Sequence, residues 1–97
     1  MMQLDPSILE KRELIKRIAA EHGARNVRVF GSRARGDARP DSDVDLLVEP
    51  GPATSSWFPA GLVLDLEELL GLPVDVVTDR GLRPELRDTV LGEAVQL

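Results

Sequence analysis

Two short apolar runs, Asn26 to Phe30 and Asp43 to Glu49, are joined through the stretch GSRARGDARPDSDVD from Gly31 to Asp45. Apolar runs of this length bounded by Gly, Pro and Asp read as strands. The joining stretch therefore has to be a turn-rich loop that delivers Asp43 and Asp45 at the start of the second strand. Successive strand side chains point to opposite faces, so residues two apart share one. Asp43 and Asp45 stand side by side in this reading, roughly 7 Å apart along the strand. Two carboxylates so placed repel each other unless a cation lies between them. The stretch sets a divalent-metal clamp beside a loop that can hold phosphate.

The rest of the chain supplies a frame for that loop. A helix is expected from Ser7 to His22, capped by Asp5 or Ser7, with Pro6 in its first turn and Gly23 as its stop. Ile8, Leu14, Ile15, Ile18 and Ala19 mark its inner side. A short helix or turn covers Ser32 to Arg35, ahead of the polar loop Gly36 to Ser42. Pro50-Gly51-Pro52 ends the second strand. Leu62, Leu66, Leu69 and Leu70 mark a helix from Trp57 to Leu70, closed by Gly71, with Trp57 and Phe58 anchoring its start. Pro73 to Thr78 reads as a third strand, and a last helix starts near Pro84. Helix, strand, turn, strand, helix, strand and helix in this order favour an α/β (α+β) fold, a small mixed sheet flanked by helices.

Composition narrows the function classes. A chain of 97 residues with 42% hydrophobic content reads as a single domain, 1–97, with an aliphatic core. A net charge of −5 argues against stand-alone nucleic-acid binding, although Arg25, Arg28, Arg33, Arg35 and Arg39 lie close in sequence. Without cysteine there is no disulfide, thiolate metal site or cysteine nucleophile. No apolar run approaches the ~18 residues of a membrane span, and the first residues are charged rather than signal-like. No membrane association and a cytoplasmic location are expected.

Asp75 sits among Val74, Val76 and Val77, where an unpaired buried charge is costly. If the third strand lies beside the second, Asp75 joins Asp43 and Asp45 on one face. Three carboxylates suit Mg²⁺ or Mn²⁺, and two such ions would stabilise both oxygens of a phosphoryl transfer. Gly31 permits close approach of backbone to phosphate, and Ser32 offers a hydroxyl, or caps the following turn, or both. Arg33 and Ser42 are placed with the nucleotide-binding residues. Loop arginines are more often exposed or ion-paired, and Ser42 also shapes the turn into the strand. His22 has no catalytic role. Neither a P-loop nor a dinucleotide fingerprint is present.

Gly31-Ser32, ten further residues, Asp43-Val44-Asp45 and a later strand aspartate form a pattern that resembles the DNA-polymerase-beta-like nucleotidyltransferases. GSRARGDARPDSDVDLLV is similar, more narrowly, to the minimal nucleotidyltransferases, or MNT proteins. The resemblance implies a polymerase-beta-like fold and transfer of AMP from ATP, with two Mg²⁺ (or Mn²⁺) ions. It assigns Asp43 and Asp45 to both metals and Asp75 to the catalytic metal and the attacking hydroxyl. Gly31 and Ser32 would hold the phosphates. It further implies a HEPN-domain toxin as partner, modified on tyrosine, with this chain as antitoxin. Two alternatives stay open at this point. One is nucleotidyl transfer to a small molecule or nucleic acid with a separate acceptor-binding subunit. The other is a non-catalytic subunit that neutralises a toxin by binding it.

Overall fold

The computed structural model describes residues 4–97. Nine elements follow in order: α1 (Pro6–Glu10), α2 (Arg12–Glu21), β1 (Ala24–Phe30), α3 (Ser32–Arg35), β2 (Val44–Pro50), α4 (Ala60–Leu70), β3 (Val74–Thr78), α5 (Pro84–Glu93) and β4 (Val95–Gln96), counted among the described residues. They form a small mixed α/β fold around a four-stranded sheet of order β3-β2-β1-β4. β1 runs antiparallel to β2 and β4, whereas β2 and β3 are parallel, joined through α4. The expected fold class is borne out.

One face of the sheet makes the core. Val27 and Val29 of β1, Val44, Leu46 and Val48 of β2, and Val74 and Val76 of β3 are buried there with Ile15 and Ala19 of α2 and Leu62 and Leu66 of α4. Alternation along each strand sends the intervening side chains to the other face. Register then sets Phe30, Asp45 and Asp75 in one row across β1, β2 and β3 on that second face. Backbone contacts at the head of β3 fix this row: the Val44 amide donates to the Pro73 carbonyl at 2.9 Å, and the Val74 amide to Glu67 Oε2 at 3.0 Å.

Four local features depart from the sequence reading. The first helix is broken at Lys11, whose amide donates back to the Ile8 and Leu9 carbonyls while its Nζ reaches the Leu69 carbonyl at 3.3 Å. Asp5 does cap α1, accepting from the Ser7 amide at 2.9 Å. α4 begins at Ala60 rather than Trp57, because Phe58 precedes Pro59 and a residue before proline is disfavoured in helical geometry. Phe58 packs on the core, but Trp57 is 78% exposed and anchors nothing. The short β4 adds an edge to the sheet, pairing Val95 with Val29 and Gln96 with Arg28. His22 Nε2 lies 2.7 Å from Asp65 Oδ2, tying the end of α2 to α4.

Arg33 corrects a further expectation. It is only 4% exposed, the one buried charged residue among those described. Its guanidinium pairs with Asp5 and donates to three loop carbonyls, Ser42 (2.7 and 3.1 Å), Arg39 (3.3 Å) and Pro40 (3.3 Å). The Ser42 hydroxyl accepts the Arg39 amide at 2.8 Å, which closes the same loop. Arg33 and Ser42 thus shape the loop, the guanidinium held by the Asp5 carboxylate and loop carbonyls and the Ser42 oxygen by the Arg39 amide. Burial alone would raise the Asp5 carboxyl, but the Ser7 hydrogen bonds and the Arg33 guanidinium hold it below the usual range. Lysine cannot fan out to that many acceptors. Arg33→Lys is therefore expected to lower the unfolding free energy by about 3 kcal/mol in urea denaturation. A change under roughly 0.5 kcal/mol, ordinary for exposed positions, would contradict the clasp.

Candidate functional site

The second face of the sheet gathers the acidic residues at one end. Asp45 and Asp75 are direct register partners on parallel strands, so their side chains leave the same face about 4.8 Å apart at the backbone. Asp43 lies two residues before Asp45, just ahead of β2, and is exposed. The Asp45 carboxyl is pushed above the usual carboxylate range, first by burial, then by the negative charges of Asp75, Asp43 and Glu93, with Arg35 opposing. All three expected aspartates therefore act on one small region. They are not drawn into a closed cage: among the described residues no three His, Cys, Asp or Glu side chains are gathered tightly enough to hold a metal by themselves.

Gly31 turns the chain from β1 into α3 at φ +75 and ψ −156, a conformation that L side chains rarely adopt. A carbon added at Gly31 would also run into the Asp45 carboxylate. The glycine is thus required twice, for the turn and for the approach of β2. Ser32 opens α3, partly exposed, immediately after that turn. The carboxylates and the Gly31-Ser32 turn lie together, as the spacing in sequence anticipates.

Arg35, one of two loop arginines between which the sequence does not choose, and Glu93, which nothing in the sequence singles out, complete the site. Arg35, one residue beyond Ala34 from the buried Arg33, faces outward with a side chain 49% exposed. Its Nη1 donates to Glu93 Oε2 at 3.1 Å and its Nε to Asp37 Oδ2 at 3.3 Å. Both carboxylates, through these hydrogen bonds, raise the Arg35 pKa further above its ordinary value. Glu93, the last residue of α5, also accepts the Gly31 amide through Oε1 at 2.9 Å. No local signal marks Glu93, which is 62 residues from Gly31.

The arrangement is an oxygen-rich, electronegative face beside a glycine turn and one exposed guanidinium. Hard, oxygen-seeking divalent cations fit such donors, and Mg²⁺ in particular is commonly held by one or two carboxylates plus substrate phosphates rather than by an all-protein cage. The absence of a closed trio is compatible with that mode of binding.

Comparison with known proteins identifies the family and the fold. Residues 11–97 match the family model described as the nucleotidyltransferase domain. The protein adenylyltransferase MntA of Thermococcus cleftensis is 44% identical over 85 residues, covering 88% of this chain and 82% of that protein. A solved structure provisionally described as a minimal nucleotidyltransferase superposes with a TM-score of 0.82 at 50% identity, covering 98% of each chain. A toxin–antitoxin crystal structure with AMP-PNP shares the fold, with a TM-score of 0.74 at 22% identity, over 89% of this chain and 70% of the other. With the model match spanning nearly the whole sequence, the chain belongs to the nucleotidyltransferase domain family, as an enzyme of the minimal nucleotidyltransferase type.

Proposed function

We propose that this chain transfers AMP from ATP to a hydroxyl of a partner toxin, a tyrosine of a HEPN-domain protein, and so acts as the antitoxin of a pair in the cytoplasm. The observation that carries the reading is the parallel register that sets Asp45 against Asp75 beside the Gly31-Ser32 turn. The similarity to an MntA protein adenylyltransferase and to the fold of a toxin–antitoxin complex supports a protein acceptor.

Each residue then has a task. Asp43 and Asp45 hold Mg²⁺ or Mn²⁺, two ions in all, together with the phosphates of ATP. Asp75, exposed next to Asp45, completes the ligand set and accepts the proton of the attacking hydroxyl. The Gly31 amide and Ser32 hydroxyl cradle phosphate oxygens. Arg35 is the arginine that reaches them, since its guanidinium is exposed and bound only by side chains, whereas that of Arg33 is buried among carbonyls. When bound, the cations supply charge neutralisation for the α-phosphate and the leaving pyrophosphate. Attack at phosphorus needs that neutralisation and in-line placement more than a strong protein base.

The acceptor class is tested by intact-mass analysis of a HEPN-domain protein incubated with this chain, ATP and Mg²⁺. Addition of one or more AMP groups is expected. Asp43→Ala should reduce the addition at least 10²–10³-fold, roughly the size of losing one group that stabilises transition-state charge. Modification that persists in excess chelator would contradict the metal-dependent reading. Neutralisation of the toxin by an Asp43→Ala, Asp45→Ala double variant would assign the effect to binding alone.

The carboxylate crowding gives a second outcome, in stability. Because folding raises the Asp45 pKa, stability linked to its protonated form is complete below its unfolded value and is lost as pH rises through its folded value. Without divalent ions, Asp45→Asn should therefore melt several degrees above the parent at neutral pH. The advantage should fade as pH falls into the ordinary carboxylate range. An advantage that grows towards acid would refute the burial and repulsion by Asp43, Asp75 and Glu93 on which it rests.

A further inference from the structure

The groups assigned above to phosphate already have an anionic partner within the chain. One oxygen of Glu93 takes the Gly31 amide and the other takes the Arg35 guanidinium. A single carboxylate thus spans a backbone donor at a glycine turn and an exposed arginine, the pair of donors that a phosphate group binds through two of its oxygens. Glu93 is also close enough to Asp45 for its charge to act there. It is an acid held beside other acids by two donors.

We infer that Glu93 is a displaceable internal anion, which holds the Gly31 amide and Arg35 when no nucleotide is bound and yields both to a nucleotide phosphate. The inference rests on the nucleotide-binding reading of the cradle and deepens it. Nothing covalent changes in the exchange. The same two donors pass from a carboxylate to a phosphate, and the released carboxylate takes its hydrogen bonds from water.

Position and exposure make the exchange feasible. Glu93 ends α5, and Ala94 directly after it is extended at φ −66 and ψ 135, so no helical turn follows to confine the side chain. The Glu93 side chain is 20% exposed and that of Arg35 is 49% exposed, so water reaches the pair and screens it. A screened pair attenuates nucleotide affinity without abolishing it. Release also separates the Glu93 charge from Asp45, which offsets part of the repulsion that the entering phosphate brings. A purely supporting role for Glu93 would have the opposite consequence, because its removal would then loosen the cradle.

Calorimetric titration with AMP-PNP and Mg²⁺ distinguishes the two roles, with inorganic tripolyphosphate as a probe that lacks the nucleoside. Glu93→Ala is expected to lower the Kd for both ligands about tenfold, the scale of one charge-assisted hydrogen bond reduced by screening. Glu93→Gln should lower it by less, since its amide oxygen still accepts from Gly31 but offers no charge to Arg35. Adding Arg35→Ala to Glu93→Ala should remove most of the gain. Should Glu93→Ala not fold, as judged by its melting transition, Glu93→Gln carries the same sign of effect. Unchanged or weaker binding in a variant that melts as the parent does, with the parent itself binding AMP-PNP, overturns the displacement and leaves the nucleotide-binding reading standing. A folded parent that binds neither ligand overturns both.

Discussion

Parallel pairing of β2 with β3 holds two carboxylates against each other, and the side chains on the opposite face of the sheet decide that it does so. Val44, Leu46 and Val48 alternate with Asp45, and Val74 and Val76 flank Asp75. Sliding either strand by one residue would turn its aspartate into the core and its valines out to water. Two like charges about 5 Å apart at an effective dielectric of 20 repel by roughly 3 kcal/mol, less where one of them is exposed as Asp75 is. Burial of Val44, Leu46, Val48, Val74 and Val76 outweighs this, at about 1.5 kcal/mol or more each. The core therefore imposes the repulsion, and the site inherits a strained charge distribution that cations can relieve.

Arg33 and Arg35 show how one turn of helix divides two identical side chains between structure and chemistry. Residues two apart on a helix point nearly opposite ways, about 200° apart. α3 therefore sends Arg33 inward under the loop, to Asp5 and the carbonyls of residues 39, 40 and 42, while Arg35 emerges at the carboxylate end of the sheet. The inner arginine fixes the loop between Gly36 and Ser42, and that loop fixes where Asp43 enters β2. Its contribution to the site is indirect, yet the approach of Asp43 depends on it.

This division explains what the chain discloses before folding. Strand alternation and the Gly31-Ser32 turn are local, so β1, β2, β3, the main helices and the pairing of Asp43 with Asp45 were legible from spacing, whereas Asp75 joins them only through the pairing of β3 with β2. The fate of Arg33 depends on Asp5 and on carbonyls of a loop, and a carbonyl leaves no trace in residue type. Glu93 meets Gly31 only because β4 pairs with β1 and draws the end of α5 over the site; β4 comprises only two residues, too few for a period. Trp57 misleads for a different reason. Aromatic residues beside a helix start usually pack inward, but here Phe58 takes the inner position and leaves the larger ring in water.

The charge inventory around the cradle also bears on how the proposed reaction is ordered. Arg35 pairs with Asp37 and Glu93 and is the cation that the Asp45 carboxyl senses, against the negative charges of Asp75, Asp43 and Glu93. A bare triphosphate entering this field would meet net repulsion, unlike in sites where lysines and arginines dominate. On the proposed reading, nucleotide and divalent cation must then arrive with coupled affinities, each lowering the electrostatic cost of the other. An acidic domain can in this way use a polyanionic substrate without a basic groove. Selectivity against other phosphates follows from the same balance, since a ligand that brings no cation cannot offset the carboxylates it approaches.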